Sequence, residues 1–148
     1  MRVVLQRVSR AEVRVDGSPV GKIGLGFLLL VGVGRGDGPD VSKRVAAKVA
    51  GLRVFADADH KMNLSPADVG GEVLVVSQFT LFGDVRRGWR PSWTAAEDPE
   101  PAAERVEGLC RELEEQGLTV ARGVFGAHME VELVNDGPVT LILDSADL

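Results

Sequence analysis

Short apolar runs separated by turn residues dominate this sequence, and the pattern predicts a chain built mainly of strands. The run Phe27–Val33 is continuously apolar, as expected of a strand that is buried on both faces. Glu72–Phe79 predicts a second central strand that turns polar near its end. Shorter strands are predicted at Arg2–Val8, Ala11–Val15, Val20–Ile23, Arg53–Phe55, Leu118–Ala121, Glu130–Val134 and Val139–Leu143.

Two segments have the apolar spacing of helices. The first runs from Val41 to Leu52, with its apolar residues on one face. The second runs from Pro101 to Gln116, because proline fits a first helical turn and Gly117 can end the helix. About eight strands, mostly in hairpin order, and two helices predict an α/β fold. We expect one domain over residues 1–148, with a mostly antiparallel sheet folded over on itself into a barrel-like arrangement.

Composition fits this class of fold. Of the 148 residues, 45% are hydrophobic and 26% are charged, an ordinary globular balance. No apolar run is long enough for a membrane span, and the N-terminus lacks the apolar core of a signal peptide. The single cysteine, Cys110, excludes an internal disulfide and a thiolate metal site. We therefore expect a cytoplasmic protein without a membrane partner.

Charge is unevenly distributed along the chain, although the net value of −5 argues against a general nucleic-acid binder. Glu97–Glu115 holds eight acidic and two basic residues and carries −6, which leaves about +1 elsewhere. Basic residues cluster near the N-terminus and in one loop, at Arg2, Arg7, Arg10, Arg14, Arg86, Arg87 and Arg90. These clusters allow local contact with a polyanion. On charge alone, a normally solvated surface is the simpler interpretation.

Two segments resemble known site motifs but lack their essential residues. Gly32–Gly38 is glycine-rich, yet Pro39 stands where the dinucleotide fingerprint needs glycine, and no phosphate-binding lysine follows. We interpret it as a flexible turn. Asp57–His60 has alternating carboxylates but lacks the glycine and the late glutamate of a calcium loop. Exposed loop polar residues are the simpler interpretation there.

Two other segments carry candidate chemistry. Asn135–Thr140 contains Asp-Gly between apolar runs, which predicts a tight hairpin turn, and Gly137 and Pro138 constrain its backbone. Ser77–Leu81 places polar residues at the end of a buried strand, a common place for a site. Strand alternation would put Ser77, Phe79 and Leu81 on one face, and Gln78 and Thr80 on the other. An aromatic face could then stack on a base.

Together the two segments closely resemble the signature motifs of the D-aminoacyl-tRNA deacylases. Neither motif departs from the family pattern. Other matching stretches extend the resemblance over the whole chain: Gln6–Val8, Lys61–Leu64, Arg87–Ser92 and Met129 with the strand after it. Between Phe82 and Trp93 the residues Phe82, Gly83, Trp89 and Trp93 stand where relatives vary.

The resemblance implies a dimeric α/β enzyme without cofactor or metal, whose sites lie at the subunit interface. Such enzymes hydrolyse the ester between a D-amino acid, or glycine, and the 3′-terminal adenosine of tRNA. The Gly137–Pro138 peptide would be cis, and its carbonyl groups would exclude L side chains, a repulsive element of specificity. Arg7 would hold this turn in place, although a surface ion pair is an equal alternative. The adenosine pocket is assigned to Ser77, Gln78, Phe79, Leu81, Phe125, Ala127 and Met129, and Thr140 is placed with the substrate-binding residues.

Two mechanisms fit these residues. Thr80 could attack the ester as a nucleophile, but no activating base lies near it in the sequence. Alternatively, water attacks, backbone N–H groups near Phe79 and Thr80 stabilise the oxyanion, and the ribose 2′-hydroxyl assists. We favour water. Ser77, Gln78, Thr80, Gly137 and Pro138 form the expected catalytic set.

Two other classes of function stay open. A non-catalytic nucleotide-binding or nucleic-acid-binding module would keep the Phe79 and Phe125 platform and hydrolyse nothing. A metal-dependent hydrolase would use Asp57, Asp59 and His60.

Overall fold

The computed structural model describes all 148 residues, Met1–Leu148. Its strands are β1 (Arg2–Val15), β2 (Ser18–Ile23), β3 (Gly26–Gly32), β4 (Phe55–Ala56), β5 (Met62–Leu64), β6 (Glu72–Ser77), β7 (Thr119–Arg122) and β8 (Glu130–Asp144). The two α-helices are α1 (Asp40–Gly51) and α2 (Pro99–Glu115). Short 3₁₀ helices occupy Ala67–Val69, Phe79–Phe82 and Ser145–Asp147. Neither α-helix is long and apolar enough to cross a membrane.

Six strands form one sheet in the order β2-β1-β3-β6-β7, with β8 on the other side of β1. β1 is antiparallel to β2, β3 and β8, whereas β3–β6 and β6–β7 are parallel. β2 curls over towards β7, where a Cβ on Gly21 would lie 2.6 Å from the carbonyl oxygen of Arg122. The sheet is therefore nearly closed, which confirms the predicted barrel-like α/β fold with two main helices.

Apolar residues on the two faces of this sheet form two cores. The larger core packs α1 and α2 against one face, and includes Leu5, Phe27 and Val73. The smaller core fills the space inside the curled sheet, and includes Leu28 and Leu74. Successive residues of β3 thus enter opposite cores, as the continuous apolar run predicted.

Arg2–Val15 forms one strand, not the two strands predicted at Arg2–Val8 and Ala11–Val15. The pairing between β1 and β8 shifts between Val8 and Arg10, which marks a bulge at Ser9. One extra residue reverses the inside–outside alternation. Val3 therefore faces the helices, whereas Ala11 and Val13 face the barrel interior.

The predicted hairpin at Asn135–Thr140 is wrong, because β8 runs straight through it. Asn135 pairs with Val8 and Thr140 pairs with Gln6, so four residues of β8 stand opposite Arg7 alone. The Asn135 side-chain amide donates to the carbonyl oxygens of Arg7, at 2.9 Å, and Val139, at 3.1 Å. These bonds span the mismatch, so the chain bulges outward without reversing. We call residues 136–139 the Gly-Pro bulge.

The end of the central strand also differs from the prediction. β6 stops at Ser77, and Phe79–Phe82 is a 3₁₀ helix. The predicted alternation of side chains between two faces is therefore wrong beyond Ser77. The helix α2 begins at Pro99, two residues before the predicted start.

Candidate functional site

A cavity of about 560 Å³ opens beside the end of β6. Six predicted site residues line it: Ser77, Gln78, Phe79, Phe125, Ala127 and Met129. Its apolar walls come from four elements and from the residue that follows β3. They include Val31 of β3, Val33 after it, Val76 of β6, Ala102 and Val106 of α2, and Val131 of β8. The parallel pairing of β6 with β7 places the segment after β7 next to the end of β6. Residues almost fifty positions apart therefore share one cavity.

The chain after β6 is held by a close contact with Gly32. A Cβ at Gly32 would lie 2.9 Å from the carbonyl oxygen of Gln78 and 3.1 Å from the Cβ of Leu81. The carbonyl oxygen of Leu81 also accepts a hydrogen bond from Arg2 at 3.0 Å. The 3₁₀ helix is thus held by contacts at Gln78, just before it, and at Leu81 within it.

Two backbone donors at this point have no partner within the chain. The N–H groups of Phe79 and Thr80 donate to no backbone or side-chain acceptor, as is usual for the first residues of a helix. The Thr80 hydroxyl, which is exposed, accepts a hydrogen bond from the Gln78 side-chain amide. No histidine or carboxylate hydrogen-bonds to this hydroxyl. The segment therefore offers hydrogen-bond donors without a base beside the threonine.

Aromatic side chains form an exposed edge of the cavity. Phe79 is 55% exposed, and its ring meets the ring of Trp93 edge-on with centroids 5.3 Å apart. Trp93 packs against Gly83, where a Cβ would lie 2.6 Å from the indole ring. Phe125 is also exposed on the cavity wall. Aromatic faces left open beside a cavity are suited to stacking on a planar ligand.

The polar residues of the cavity wall include an arginine, Arg35, that faces two carboxylates. Arg35 contacts Asp98 at 2.9 Å and donates to the carbonyl oxygen of Thr94, also at 2.9 Å. Glu97 lies 4.0 Å from the same guanidinium. The two carboxylates outnumber the single positive charge of Arg35, so this wall does not concentrate positive charge.

A salt-bridge network attaches β7 to α2 and so positions the Phe125 segment. Arg122 donates to Glu107 at 3.1 Å and to Glu114 at 2.8 Å. These hydrogen bonds raise the pKa of Arg122, those to Glu114 most, and the bond from Arg122 lowers the pKa of Glu114. The next residue, Gly123, leaves room for the side chain of Met129. A Cβ at position 123 would lie 2.8 Å from the Met129 sulfur.

The Gly-Pro bulge lies apart from this cavity. Gly137 and Pro138 are exposed, the peptide between them is cis, and none of Arg7, Gly137, Pro138 and Thr140 lines the cavity. Arg7 donates to the carbonyl oxygen of Asp136 at 2.9 Å and also to that of Val54. From the bulge on β8 to Ser77 on β6, the path crosses three strand spacings and runs about four residues along the sheet. The distance between them is therefore roughly 20 Å. One chain therefore does not bring the two motifs together.

Sequence comparison identifies the family. The family model described as D-Tyr-tRNA(Tyr) deacylase matches residues 4–144. A D-aminoacyl-tRNA deacylase of Anaeromyxobacter dehalogenans (strain 2CP-C) is 58% identical over 148 residues, which are 100% of this chain and 99% of that protein. The deacylase of Heliobacterium modesticaldum (strain ATCC 51547 / Ice1) is 57% identical over 144 residues, 97% of this chain and 96% of that protein. The chain belongs to the D-Tyr-tRNA(Tyr) deacylase family.

Solved structures share the fold of this deacylase-family chain. One is described as a c-Myc DNA unwinding element binding protein, with a TM-score of 0.90 and 36% identity, and the match covers 97% of this chain and 98% of that one. Another is described as a probable eukaryotic D-amino acid tRNA deacylase, with a TM-score of 0.79 and 16% identity over 96% of this chain and 97% of that one. The second likeness supports the fold alone.

Sequence reasoning missed three residues that shape the site of this family member. Gly32 and Gly83 permit close packing of the 3₁₀ helix and of Trp93, and Trp93 itself lines the cavity. Glycine next to a buried strand often marks such a close approach. Gly32 carries this signal, but its place in a glycine-rich segment favours the interpretation as a turn. Two predicted residues, Thr80 and Leu81, lie next to the cavity without lining it.

Proposed function

We propose that this protein hydrolyses the ester bond between a D-amino acid, or glycine, and the 3′-terminal adenosine of tRNA. Membership of the deacylase family supports the reaction class. The observation that carries the assignment of the site is the cavity, which has exposed aromatic rings on its wall and unpaired backbone donors at its edge. The enzyme would act on aminoacyl-tRNA in the cytoplasm as a proofreading step in translation.

The cavity is the proposed adenosine pocket. The adenine base would stack on Phe79 and contact Phe125, Ala127 and Met129, which all line the same space. Stacking of a base on an aromatic ring contributes about 1–3 kcal/mol. Ser77 and Gln78 offer a hydroxyl and an amide to the polar groups of the nucleoside, and Leu81 supports the packing of the 3₁₀ helix on Gly32.

Attack by water is the proposed mechanism. The free N–H groups of Phe79 and Thr80 would stabilise negative charge on the ester carbonyl oxygen, and the ribose 2′-hydroxyl would assist the proton transfer. Thr80 is a poor nucleophile here, because only the Gln78 amide contacts its hydroxyl. An aminoacyl ester is already activated, so its positioning is the main task of the protein.

Chirality would be imposed by the Gly-Pro bulge of a second copy of the chain. Reacting groups must lie within about 3.5 Å of one another, so a bulge roughly 20 Å from Ser77 by strand spacing cannot line the site of its own chain. A symmetric homodimer could place the bulge of each protomer in the cavity of its partner. The carbonyl oxygens of Gly137 and Pro138 would then exclude an L side chain. Arg7 would anchor the bulge from within its own chain, and Thr140 would flank it on the substrate side.

Deacylation of D-tyrosyl-tRNA and L-tyrosyl-tRNA tests the assignment directly. Rapid release of the D amino acid with little release of the L amino acid supports the proposal. Equal hydrolysis of both would contradict the chiral role of the bulge, and hydrolysis of neither would contradict the enzyme assignment.

Mixed dimers test the shared site. Phe79→Ala damages the cavity, and Gly137→Ala damages the bulge, because its Cβ would lie 2.3 Å from the backbone nitrogen of Val139. If partners exchange bulges, an equal mixture of the two variants recovers about a quarter of wild-type D-specific activity, since half the dimers hold one intact site. Each variant alone is the control. No recovery after subunit exchange would mean that the cavity and the bulge act within one chain.

Substitution of Thr80 separates the two mechanisms. Thr80→Ala and Thr80→Ser should both keep near-normal single-turnover rates if water attacks the ester. A 2′-deoxy terminal adenosine should react markedly more slowly if the ribose takes part. Loss of activity in Thr80→Ala with rescue by Thr80→Ser would instead support a nucleophilic threonine.

A nucleic-acid-binding function without catalysis is the second candidate, because a structural relative at 36% identity is described as a DNA-binding protein. It predicts binding of nucleic acid with no release of amino acid. For the metal-dependent alternative, the Asp57 carboxylate accepts from the N–H groups of Asp59 and Lys61 and from Asn63, at 2.8, 3.0 and 2.8 Å, and so caps its own turn. Full activity in excess chelator would count against that alternative.

A further inference from the structure

We propose that the loop Val85–Pro91, which we call the basic loop, docks on the unpaired nucleotides preceding the terminal adenosine of a tRNA. Trp89 stacks on one of their bases, and Arg87 and Arg90 contact their phosphates. This inference rests on the proposed function, because it assigns the RNA contacts next to the adenosine pocket.

The basic loop is an exposed projection with a fixed base. The backbone N–H groups of Asp84 and Ser92 each donate to the other residue's carbonyl oxygen, at 2.8 and 2.9 Å. Gly88 has a φ of +67° and open space around it, as in a turn at the tip of a loop. All residues from 85 to 90 are exposed. The loop therefore presents its side chains to solvent.

Trp89 makes this surface unusual, because its side chain is fully exposed. A large aromatic side chain without contacts is costly to leave in water, and base stacking is sequence-tolerant and uses such a ring. Trp89 follows the strand end and the 3₁₀ helix that supply Ser77 to Phe79, and it precedes Trp93 of the cavity wall by four residues. That spacing keeps it within roughly 14 Å of Trp93.

The charge of the loop favours a polyanion as the partner. It contains three arginines and no acidic residue. Arg86 is engaged by Asp84 at 2.6 Å, and this contact lowers the pKa of Asp84 to about 2. Arg87 and Arg90 make no hydrogen bond or ion pair, so both remain available for phosphates. Arginine fits phosphate geometry well, and single-stranded RNA combines phosphates with open base faces.

Two substrates separate contacts to RNA from contacts to the reacting end. We expect Trp89→Ala to lower kcat/KM for D-tyrosyl-tRNA at least about fivefold, the lower end of what base stacking contributes. Hydrolysis of D-tyrosyl-adenosine, which lacks the preceding nucleotides, should be unchanged. Trp89→Phe should restore most of the lost activity. Val20→Ala is the matched control, because Val20 is an exposed apolar residue far from the loop in sequence, on β2.

Salt dependence tests the two arginines. The double variant Arg87→Gln/Arg90→Gln should reduce the slope of log affinity for tRNA against log salt by about 1.4, the value for two phosphate contacts to a single strand. Lys43→Gln on α1 removes one exposed charge elsewhere and should leave the slope unchanged.

Several results would overturn the inference. An equal loss on both substrates would mean that Trp89 shapes the cavity, and no loss on either would mean that it contacts nothing. A weaker self-association of Trp89→Ala in sedimentation would assign the loop to contacts between copies of the chain. If wild-type protein hydrolyses neither substrate, the proposed function fails. Binding of uncharged tRNA then tests the role of the basic loop without catalysis. If Trp89→Ala binds this tRNA as tightly as wild type, the inference is overturned.

Discussion

Replacement of Phe79 by alanine should weaken substrate binding in a protein that stays folded. The ring is 55% exposed and has one aromatic contact, with Trp93. A fully buried phenylalanine removes about 150–250 Å² from water. A little under half of that area, at about 25 cal/mol per Å², corresponds to roughly 2 kcal/mol of unfolding free energy, which is an upper limit.

The effect on the reaction comes from the lost stacking surface. A contribution of about 1–3 kcal/mol corresponds to a factor of about 5 to 150. Since the base is stacked both before and during the reaction, the loss should appear mainly as a higher KM with a similar kcat. Steady-state kinetics with D-tyrosyl-tRNA measure both constants, and urea unfolding measures stability.

Phe27→Ala is the matched control. Phe27 is also one ring of an aromatic pair, 5.2 Å from Phe55, but it is 0% exposed and lies in the core. Its replacement should cost about 3–5 kcal/mol of unfolding free energy, and any protein that stays folded should keep its KM. A Phe79→Ala protein with wild-type KM and kcat would refute the assignment of this ring to the adenosine pocket.

Two further predictions concern the support of the site and the sheet. Gly32→Ala should lower kcat/KM at least about tenfold while destabilising the fold by only about 1–3 kcal/mol. The reason is that the new Cβ would displace the carbonyl oxygen of Gln78, 2.9 Å away, together with the free N–H donors after it. Gly51→Ala is the kinetic control, because a Cβ has open space there. Glu132 accepts from Arg14 and Arg10, which lower its pKa from 4.5 to about 2. Its charged form therefore stabilises the folded state above about pH 4.5, and this stabilisation is lost as the pH falls towards 2. Urea midpoints of wild type and Glu132→Gln should accordingly converge between pH 4.5 and 2, and a constant difference would contradict the ion-pair explanation.

The parts of the fold that follow from local pattern were predictable. β3 is continuously apolar because residues on both of its faces are buried, and each helix has an apolar face because one side meets the sheet. Features that depend on distant partners were not predictable from pattern. The bulge at Ser9 and the continuity of β8 both arise from pairing between the first and the last strand.

The candidate site shows the same division. Polar residues at the end of β6 marked Ser77 and Gln78 as candidates, because they end a buried strand. Phe125 and Met129 read as ordinary core residues until the resemblance assigned them to a pocket, since only the β6–β7 pairing brings them to Ser77. The 3₁₀ helix at Phe79 packs closely on Gly32, and although a glycine beside a buried strand signals a close approach, the pattern does not show which segment makes it.

The Gly-Pro bulge has an inner side and an outer side, and its contacts divide accordingly. Asn135 and Arg7 hold it from within the chain by hydrogen bonds to carbonyl oxygens of Arg7, Val139 and Asp136. Gly137 and Pro138 make no contribution to either core and face solvent. A backbone feature that is held so firmly while Gly137 and Pro138 at its outer side stay exposed is explained if that side serves a partner. In the proposed dimer, the internal hydrogen bonds would fix the two carbonyl groups, and the exposed face would enter the partner's cavity. Chiral selection would then depend on backbone position, which side-chain substitutions within the cavity could not replace.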